Sequence, residues 1–512
     1  MLENELAEIL SLDGSWEFSL GDRSHRASIR VPGCWEAQGF SKLIDGPAVY
    51  RREVNIPHKW SGKTIQAEFD AMSYACTVSL NGIETGSHRG MWTPFSIDLT
   101  QAARPGEQNQ LELTVYKPGK HYPMRSSLAG FLPDVATTFG GLWQPARLRL
   151  LEYGITDLRV DADVDCRCLR VRCQAVAPAA RKVQGEWSIE VHQGEQLIAG
   201  RSLKVDTPFL DAQISLDNVI LWEPEHPALY TVCVCLLEEG KTAAQVTRRV
   251  GFRRLSADGS QLLLNGRPFL IRGILSWGWE PDRIAPAYTP EQARAEMRRV
   301  RALGFNMIKL CLFVPNQAYF AAADEEGMLL WEELPLWLPE VTDDLRLNAP
   351  EEYAAITRQV QHHPSVVLYS LGCELSKAVD GELLGSLNQA VRDSVSNVLV
   401  CDNSGSAESY GGLDFDFSDF SDYHPYYDLQ YFEPLLDNWR RDWQAQRPWI
   451  FGEFCDSDTF RNLDEIIAAN QSAKPWWLTA ENPVSTWRPE AQAMLEEQER
   501  LSKANLNFSA SD

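Results

Sequence analysis

Glu374 closes the run His363-Pro-Ser-Val-Val-Leu-Tyr-Ser-Leu-Gly-Cys-Glu374, and Glu453 closes Pro448-Trp-Ile-Phe-Gly-Glu453. Each is a carboxylate just past an apolar, strand-like run and a glycine. Residues 366–370 are apolar or small and begin with two β-branched valines, the pattern of a strand buried on both faces in a parallel sheet. In parallel α/β barrels the C-terminal strand ends carry the chemistry, and a carboxylate buried there without a partner is costly. Two such ends in one barrel aim two acids into one cleft. Retaining glycoside hydrolysis needs that pair. One carboxylic acid protonates the leaving oxygen and the other attacks the sugar carbon, at a separation of about 5–5.5 Å. Two carboxylates so close do not both ionise readily, so one keeps its proton near neutral pH. A lone glutamate at a strand end is ordinarily a solvated loop residue; the repeated pattern singles out these two.

Weaker candidates lie nearby. Tyr423 and His424, in Ser421-Asp-Tyr-His-Pro-Tyr-Tyr427, are placed to hydrogen-bond a sugar or a catalytic carboxylate, although a histidine among aromatics is more often simply packed. Trp277, Trp279 and Trp337 follow the first and third barrel strands and are candidates to line a cleft, with core or rim packing an equal alternative. Glu332 and Glu333 follow the run 328–331 and read as partly structural. His362 and His363 are adjacent, which turns their rings apart and makes a poor metal pair. No GxGxxG follows a strand, and no GxxxxGK[ST], HExxH or GxSxG occurs. Neither a metal site nor a cofactor is expected.

The elements that must position these groups change character along the chain. Residues 1–152 are strand-rich, with Asn81-Gly82 as a hairpin signal, and read as an antiparallel sandwich. Residues 153–255 are again strands, punctuated by turn residues as in an immunoglobulin-like sandwich. Residues 256–512 alternate strand and helix, the signature of a parallel barrel. The expected barrel strands are 269–273, 306–311, 328–331, 366–370, 398–401, 415–420 and 449–452, with helices at 289–303, 317–326, 350–361 and 489–504. An eighth strand is not evident, so the barrel either hides one or stops short of closing, which would expose two strand edges.

Composition narrows the partners. The 512 residues are 44% hydrophobic and 23% charged, ordinary for a globular protein of two to four domains. The net charge of −23 disfavours nucleic acid and anionic membranes as partners. Seventeen tryptophans are mostly expected in cores, although sugar clefts also use aromatic platforms. The N-terminus carries Glu3, Glu5, Glu8 and Asp13 where a signal peptide would be basic and then apolar. No run approaches a membrane span. The 11 cysteines lack metal spacing; Cys166/Cys168 and Cys233/Cys235 read as same-face strand neighbours, and a reduced, cytoplasmic setting is expected.

Several motifs together resemble glycoside hydrolase family 2, the β-galactosidases, β-glucuronidases and β-mannosidases. They are Leu12-Asp-Gly-Ser-Trp16-Glu-Phe18, Val31-Pro-Gly-Cys-Trp35, Tyr50-Arg-Arg, Gly140-Gly-Leu-Trp143-Gln-Pro145, Leu221-Trp-Glu-Pro-Glu-His-Pro-Ala-Leu-Tyr230, Val250-Gly-Phe-Arg253 and Leu264-Asn-Gly-Arg-Pro-Phe-Leu-Ile-Arg-Gly273. The resemblance implies a jelly roll, an immunoglobulin-like sandwich and a (β/α)8 TIM barrel, the last lacking its final strand if the barrel is incomplete. It implies a retaining exo-β-glycosidase with Glu374 as acid/base and Glu453 as nucleophile, a small carbohydrate as substrate, and a tendency to form homo-oligomers. Cys373, Tyr423, His424, Trp277 and Trp337 then become the expected sugar-binding residues. The chain departs from the family pattern at Cys373, where an asparagine usually reads the sugar 2-hydroxyl, at Lys309, where many members have arginine, and at Tyr369, which replaces a common tryptophan. It also lacks an Asn-x-Lys sequence of the kind that reads a glucuronate carboxylate. These departures leave a non-hydrolytic carbohydrate-binding relative, or an inactive fragment of such an enzyme, as the alternative.

Overall fold

The computed structural model describes residues 7–21, 25–132, 135–151, 153–177, 182–280, 282–376, 379–405, 416–426 and 447–454, with scattered helical positions between 434 and 500. They fall into two compact units, Met1–Asp422 with Arg447–Ile450, and Tyr423–Gln446 with Phe451–Asp512.

The first unit opens with two antiparallel sheets. One has six strands in the order Ala27–Val31, Gly14–Leu20, Ala48–Asn55, Gln108–Tyr116, Ala75–Leu80 and Ile83–Arg89. The other has four, Ile9–Ser11, Ala146–Leu151, Thr64–Phe69 and Phe95–Asp98. Alternation decides which face is buried: along Gln108–Tyr116, Leu111, Leu113 and Val115 turn inward onto Trp16, Phe18, Trp35 and Tyr50. Asn81 and Gly82 both have positive φ, 55° and 79°, and close the hairpin between Ala75–Leu80 and Ile83–Arg89 as their sequence foretells.

A second pair of antiparallel sheets follows. Gly154–Asp163, Cys168–Val176 and Phe209–Ser215 form one; Gln196–Lys204, Glu186–Gln193, Tyr230–Glu238 and Lys241–Val250 form the other. Trp187, Tyr230 and a set of valines make their shared core. Cys233 and Cys235 are strand neighbours whose sulfurs lie 3.8 Å apart. Cys166 and Cys168 are not: Cys166 sits in the turn before the strand that Cys168 begins, and the two are joined in a disulfide. The turn lets the two side chains converge where an extended strand would hold them apart.

A small hairpin, Leu255–Asp258, Gln261–Leu264 and Arg267–Pro268, leads into the parallel region. Its strands and helices are β1 Gly273–Ser276, α1 Pro290–Ala302, β2 Met307–Leu310, α2 Gln317–Glu326, β3 Leu329–Glu333, α3 Asp343–Val360, β4 Val366–Ser370, α4 Gly381–Arg392 and β5 Leu399–Cys401. β1 to β5 form one parallel sheet in chain order. β6 Ser421–Tyr423 and β7 Trp449–Phe451 pair with each other. Among the described residues the strands make this five-stranded sheet and this pair, and no closed barrel.

Three expected elements shift. The apolar run 269–273 is not the first parallel strand, because Arg267–Pro268 ends the preceding hairpin and β1 begins only at Gly273. Of the run 415–420, residues 416–420 are described and are not a strand either. Asp419 accepts a hydrogen bond from Val400 N–H, and the Ser418 hydroxyl donates to Phe420 O and accepts from Asp402 N–H. Such side-chain bonds to the backbone compete with a sheet ladder, and the strand starts at Ser421. Helix α3 begins seven residues before Pro350, where the Thr342 hydroxyl caps it by accepting from Leu345 N–H. α1 carries the expected Thr289 cap, completed by Gln292 as a capping box. α4 was not foreseen; Asp380 caps it. Of the expected helix 489–504, only residues 489–493, 496 and 500 are described, and these are helical.

Strand β4 is braced at both ends. Arg253, buried, donates to the carbonyls of Pro364, Val366 and Asn397 at 2.9, 2.6 and 2.7 Å around the start of the strand. At its far end Tyr353 of α3 donates to Leu371 O at 2.6 Å, and Trp331 Nε1–H donates to Ser370 Oγ at 2.7 Å.

Candidate active site

In the first unit, Glu374 stands at the C-terminal end of β4, as its sequence pattern predicts. The strand does not simply stop at Ser370. Cys373 bridges in parallel to Trp337 on one side and Ser404 on the other. Cys373 N–H donates to Leu336 O at 2.9 Å, and Glu374 N–H donates to Ser404 O at 2.7 Å. Gly372 is required by space, since a Cβ there would lie 2.7 Å from Leu336 O. Glu374 has φ of 49°, a left-handed conformation uncommon outside glycine. Such backbone persists where surrounding bonds over-determine it, and it clusters at functional sites. The half-buried carboxylate accepts a hydrogen bond from Trp337 Nε1–H at 3.0 Å.

Cys373, Trp277 and Trp337 come together in one apolar cluster. Cys373 is buried in an apolar cluster with Phe131, Cys311 and Leu312, and both tryptophans pack against that cluster. Trp279 is further out, 39% exposed. The first sandwich supplies two residues that the sequence did not reveal. Phe131 meets the Trp337 ring edge-on at 5.2 Å, and the Arg125 guanidinium lies 3.9 Å over that ring while donating to Trp337 O at 3.1 Å. Both lie in a stretch without strand or helix periodicity, so neither carried a signal.

A buried polar chain runs behind this end of the sheet. Lys309 of β2 lies 2.8 Å from Glu333 Oε1 of β3 and donates to Ser404 Oγ at 2.8 Å. Ser404 Oγ in turn donates to Asp422 Oδ2 at 2.5 Å. One signal was available: a lysine inside an otherwise apolar strand needs a partner. Burial, and after it the neighbouring Glu333, pushes the Glu332 carboxyl well above the usual carboxylate range. Burial thus favours the protonated form of Glu332 beside the Lys309–Glu333 pair.

In the second unit, Glu453 follows β7. The Tyr426 hydroxyl donates to Glu453 Oε2, and His424 Nδ1 lies 3.6 Å from the same oxygen. His424 is fully buried; Tyr423 is half-buried. Tyr426 was missed, although it belongs to the same aromatic run.

Among the described residues no helix is long and apolar enough to cross a membrane. Two family profiles match the chain. Glycosyl hydrolase 2 galactose-binding domain-like matches residues 40–137, and Glycosyl hydrolases family 2 matches residues 154–253. A Formosa agariphila relative is 28% identical over 389 residues, covering 73% of this chain and 45% of its own length. A β-galactosidase of Thermoanaerobacter pseudethanolicus is 23% identical, covering 65% of this chain and 45% of its own. The chain thus spans about half the length of the curated relatives it matches. Among solved structures, a β-glucuronidase from Ruminococcus gnavus in complex with D-glucuronic acid is similar in fold. It has a TM-score of 0.75 and 20% identity, covering 90% of this chain and 85% of that one. In these two domains and in these relatives, the chain is similar to glycoside hydrolase family 2.

Proposed function

We propose that the chain carries the machinery of a retaining exo-β-glycosidase, with Glu374 as acid/base and Glu453 as nucleophile. One observation carries the reading: Glu374 ends a parallel strand in a left-handed conformation with its carboxylate bound to the Trp337 indole. The names of its relatives, β-glucuronidase and β-galactosidase, support the reaction class. In this reading β1 to β5 with α1 to α4 are the first part of a (β/α)8 barrel, to which β6 and β7 belong. Trp277, Trp337, Cys373, Tyr423 and His424 are the sugar-binding candidates of this reading.

The chemistry proceeds in two balanced steps. A Glu453 oxygen attacks the anomeric carbon as Glu374 gives its proton to the leaving oxygen; a glycosyl ester forms and the bond to the aglycone breaks. Glu374, now a carboxylate, takes a proton from water, which attacks the same carbon and frees Glu453. Both steps use side chains and water alone.

The test is turnover of nitrophenyl β-galactoside, β-glucuronide, β-glucoside and β-mannoside by wild type, Glu374→Ala and Glu453→Ala. Wild type should cleave at least one with retention. Added azide should rescue Glu374→Ala as a β-glycosyl azide and Glu453→Ala as the α-anomer. A wild type inert on all four, or a variant at wild-type rate, overturns the assignment. Calorimetric sugar binding without product would instead favour a binding protein.

A further inference from the structure

Away from these carboxylates, the first unit contains a cavity of about 380 Å³ where the two sandwiches meet the parallel region. Its walls include Asp70 and Arg147 from the first sandwich, Arg248 from the second, and Asn316, Gln317 and Ala318 at the start of α2. A volume of this size suits a small organic ligand.

The charges on the walls do not cancel. Asp70 is taken by Arg147 in a bidentate pair at 3.0 and 2.8 Å. Arg248 has no carboxylate partner among the described residues. Its Nη1 meets His362 Nε2 at 3.2 Å, and its Nε is buried with no hydrogen-bond partner. His362 brings no negative charge; burial, then His363 and Arg248, hold it well below the usual imidazole range. Burial alone pushes the Arg248 guanidinium down to about 10. Arg248 is thus a half-buried cation whose Nε is buried without a hydrogen-bond partner and whose charge no carboxylate of the described residues answers.

The second feature is the end of α2. Asn316 occupies the N-cap position but does not cap, because its side chain is held by Tyr288, donating to Tyr288 O at 2.8 Å and accepting from Tyr288 N–H at 3.1 Å. The first N–H groups of a ten-residue helix therefore open, without a side-chain cap, on the same cavity as Arg248. Uncapped helix N-termini favour negative charge. Gln317 Oε1 lies 3.1 Å from His363 Nε2, which leaves the amide N–H groups for another partner.

We infer that this cavity is a binding site for a small molecule bearing an oxyanion, a phosphate or a carboxylate, held between the Arg248 guanidinium and the N-terminus of α2. None of the proposed glycosidase residues lines this cavity, and the inference does not depend on that reading.

The test follows the melting temperature of the full chain at constant ionic strength, with inorganic phosphate or sodium acetate replacing chloride. Wild type should show a saturable rise with at least one oxyanion; which one responds separates the phosphate from the carboxylate source. Arg248→Met should weaken that response roughly tenfold to a hundredfold, as expected for charge-assisted hydrogen bonds. Ala318→Asp puts a carboxylate in the first turn of α2, which the helix tolerates, and should abolish the response while the fold survives. If Arg248→Met does not melt cooperatively, Ala318→Asp decides alone. Loss of the response in a folded variant supports the site. No response of wild type to either anion, or undiminished binding by every folded variant, overturns it.

Discussion

The Lys309 ammonium lies 2.8 Å from Glu333 Oε1, with the two side chains 4% and 0% exposed. β2 and β3 are neighbours in the parallel sheet, so a charge on one strand meets its countercharge on the next. Ser404 and Asp422 extend the chain from Lys309. Ser404 also bonds, through its carbonyl, the backbone N–H of Glu374. The buried pair is thereby tied to the placement of the proposed acid/base.

Lys309→Met should destabilise the protein by about 3–5 kcal/mol, because it leaves Glu333 buried without its countercharge. Glu333→Leu should cost a similar amount by stranding Lys309. The double variant should recover most of the loss. Urea unfolding of all four proteins measures this, and single variants within about 0.5 kcal/mol of wild type would show that the pair is not coupled to the fold.

Trp337→Phe removes one N–H donor and keeps a ring against Phe131 and Arg125. Stability should change little, while turnover of a responsive nitrophenyl β-glycoside should fall roughly tenfold to a hundredfold, the expected worth of a hydrogen bond to a charged group. A decrease in kcat with KM nearly constant would mark a role in placing Glu374. A change confined to KM would mark a sugar contact instead.

Stability should depend on pH through Glu352, whose carboxyl burial raises to about 7 against the opposing influence of Arg89 and the Tyr74 hydroxyl. A raised folded pKa contributes stability that is complete below the unfolded value near 4.5 and is lost as pH climbs through about 7. His88, stacked on Phe95 at 3.8 Å, is pushed down by burial to about 4, so its contribution is lost as pH falls from 6.5 toward 4. The two slopes oppose each other in the wild type. Glu352→Gln should therefore be more stable than wild type at pH 8, by roughly 3 kcal/mol for a shift from 4.5 to about 7. It should show no gain at pH 4.5. Urea midpoints at the two values decide it; an equal gain at both would mean that the charge of Glu352 is not what matters.

The sequence showed most clearly what depends on local pattern. Asn81-Gly82, the Thr289 capping box and the run 366–370 each have a short-range cause, and each lies where it was expected. Patterns failed where side chains bond the backbone, as Ser418 and Asp419 do in place of a sixth strand at 415–420. The run 269–273 misled because only Phe269 and Ile271 pack inward, Leu270 is 72% exposed, and pairing in the parallel sheet begins at Gly273. At the candidate site, Glu374 was visible as an acid ending an apolar strand. Arg125 and Phe131 were invisible, since they reach Trp337 over some 200 residues of chain, and one sequence carries no trace of such a contact.

Cys373 is the position where an exchange should add function. The family pattern puts an asparagine before the acid/base glutamate, where its amide reads the sugar 2-hydroxyl; here a thiol, 3% exposed, faces an apolar cluster of Phe131, Cys311 and Leu312. A thiol is a weak hydrogen-bonding group, and bonds to the 2-hydroxyl that tighten in the transition state are worth several kcal/mol. Asparagine is close to cysteine in volume, and the backbone bond from residue 373 to Leu336 O is indifferent to side chain. The exchange should therefore keep the strand end in place. Cys373→Asn should thus raise kcat on a β-glycoside bearing a 2-hydroxyl. The matching 2-deoxy substrate should show no such gain. That contrast separates a restored sugar contact from a general loosening of the site, which would move both substrates alike.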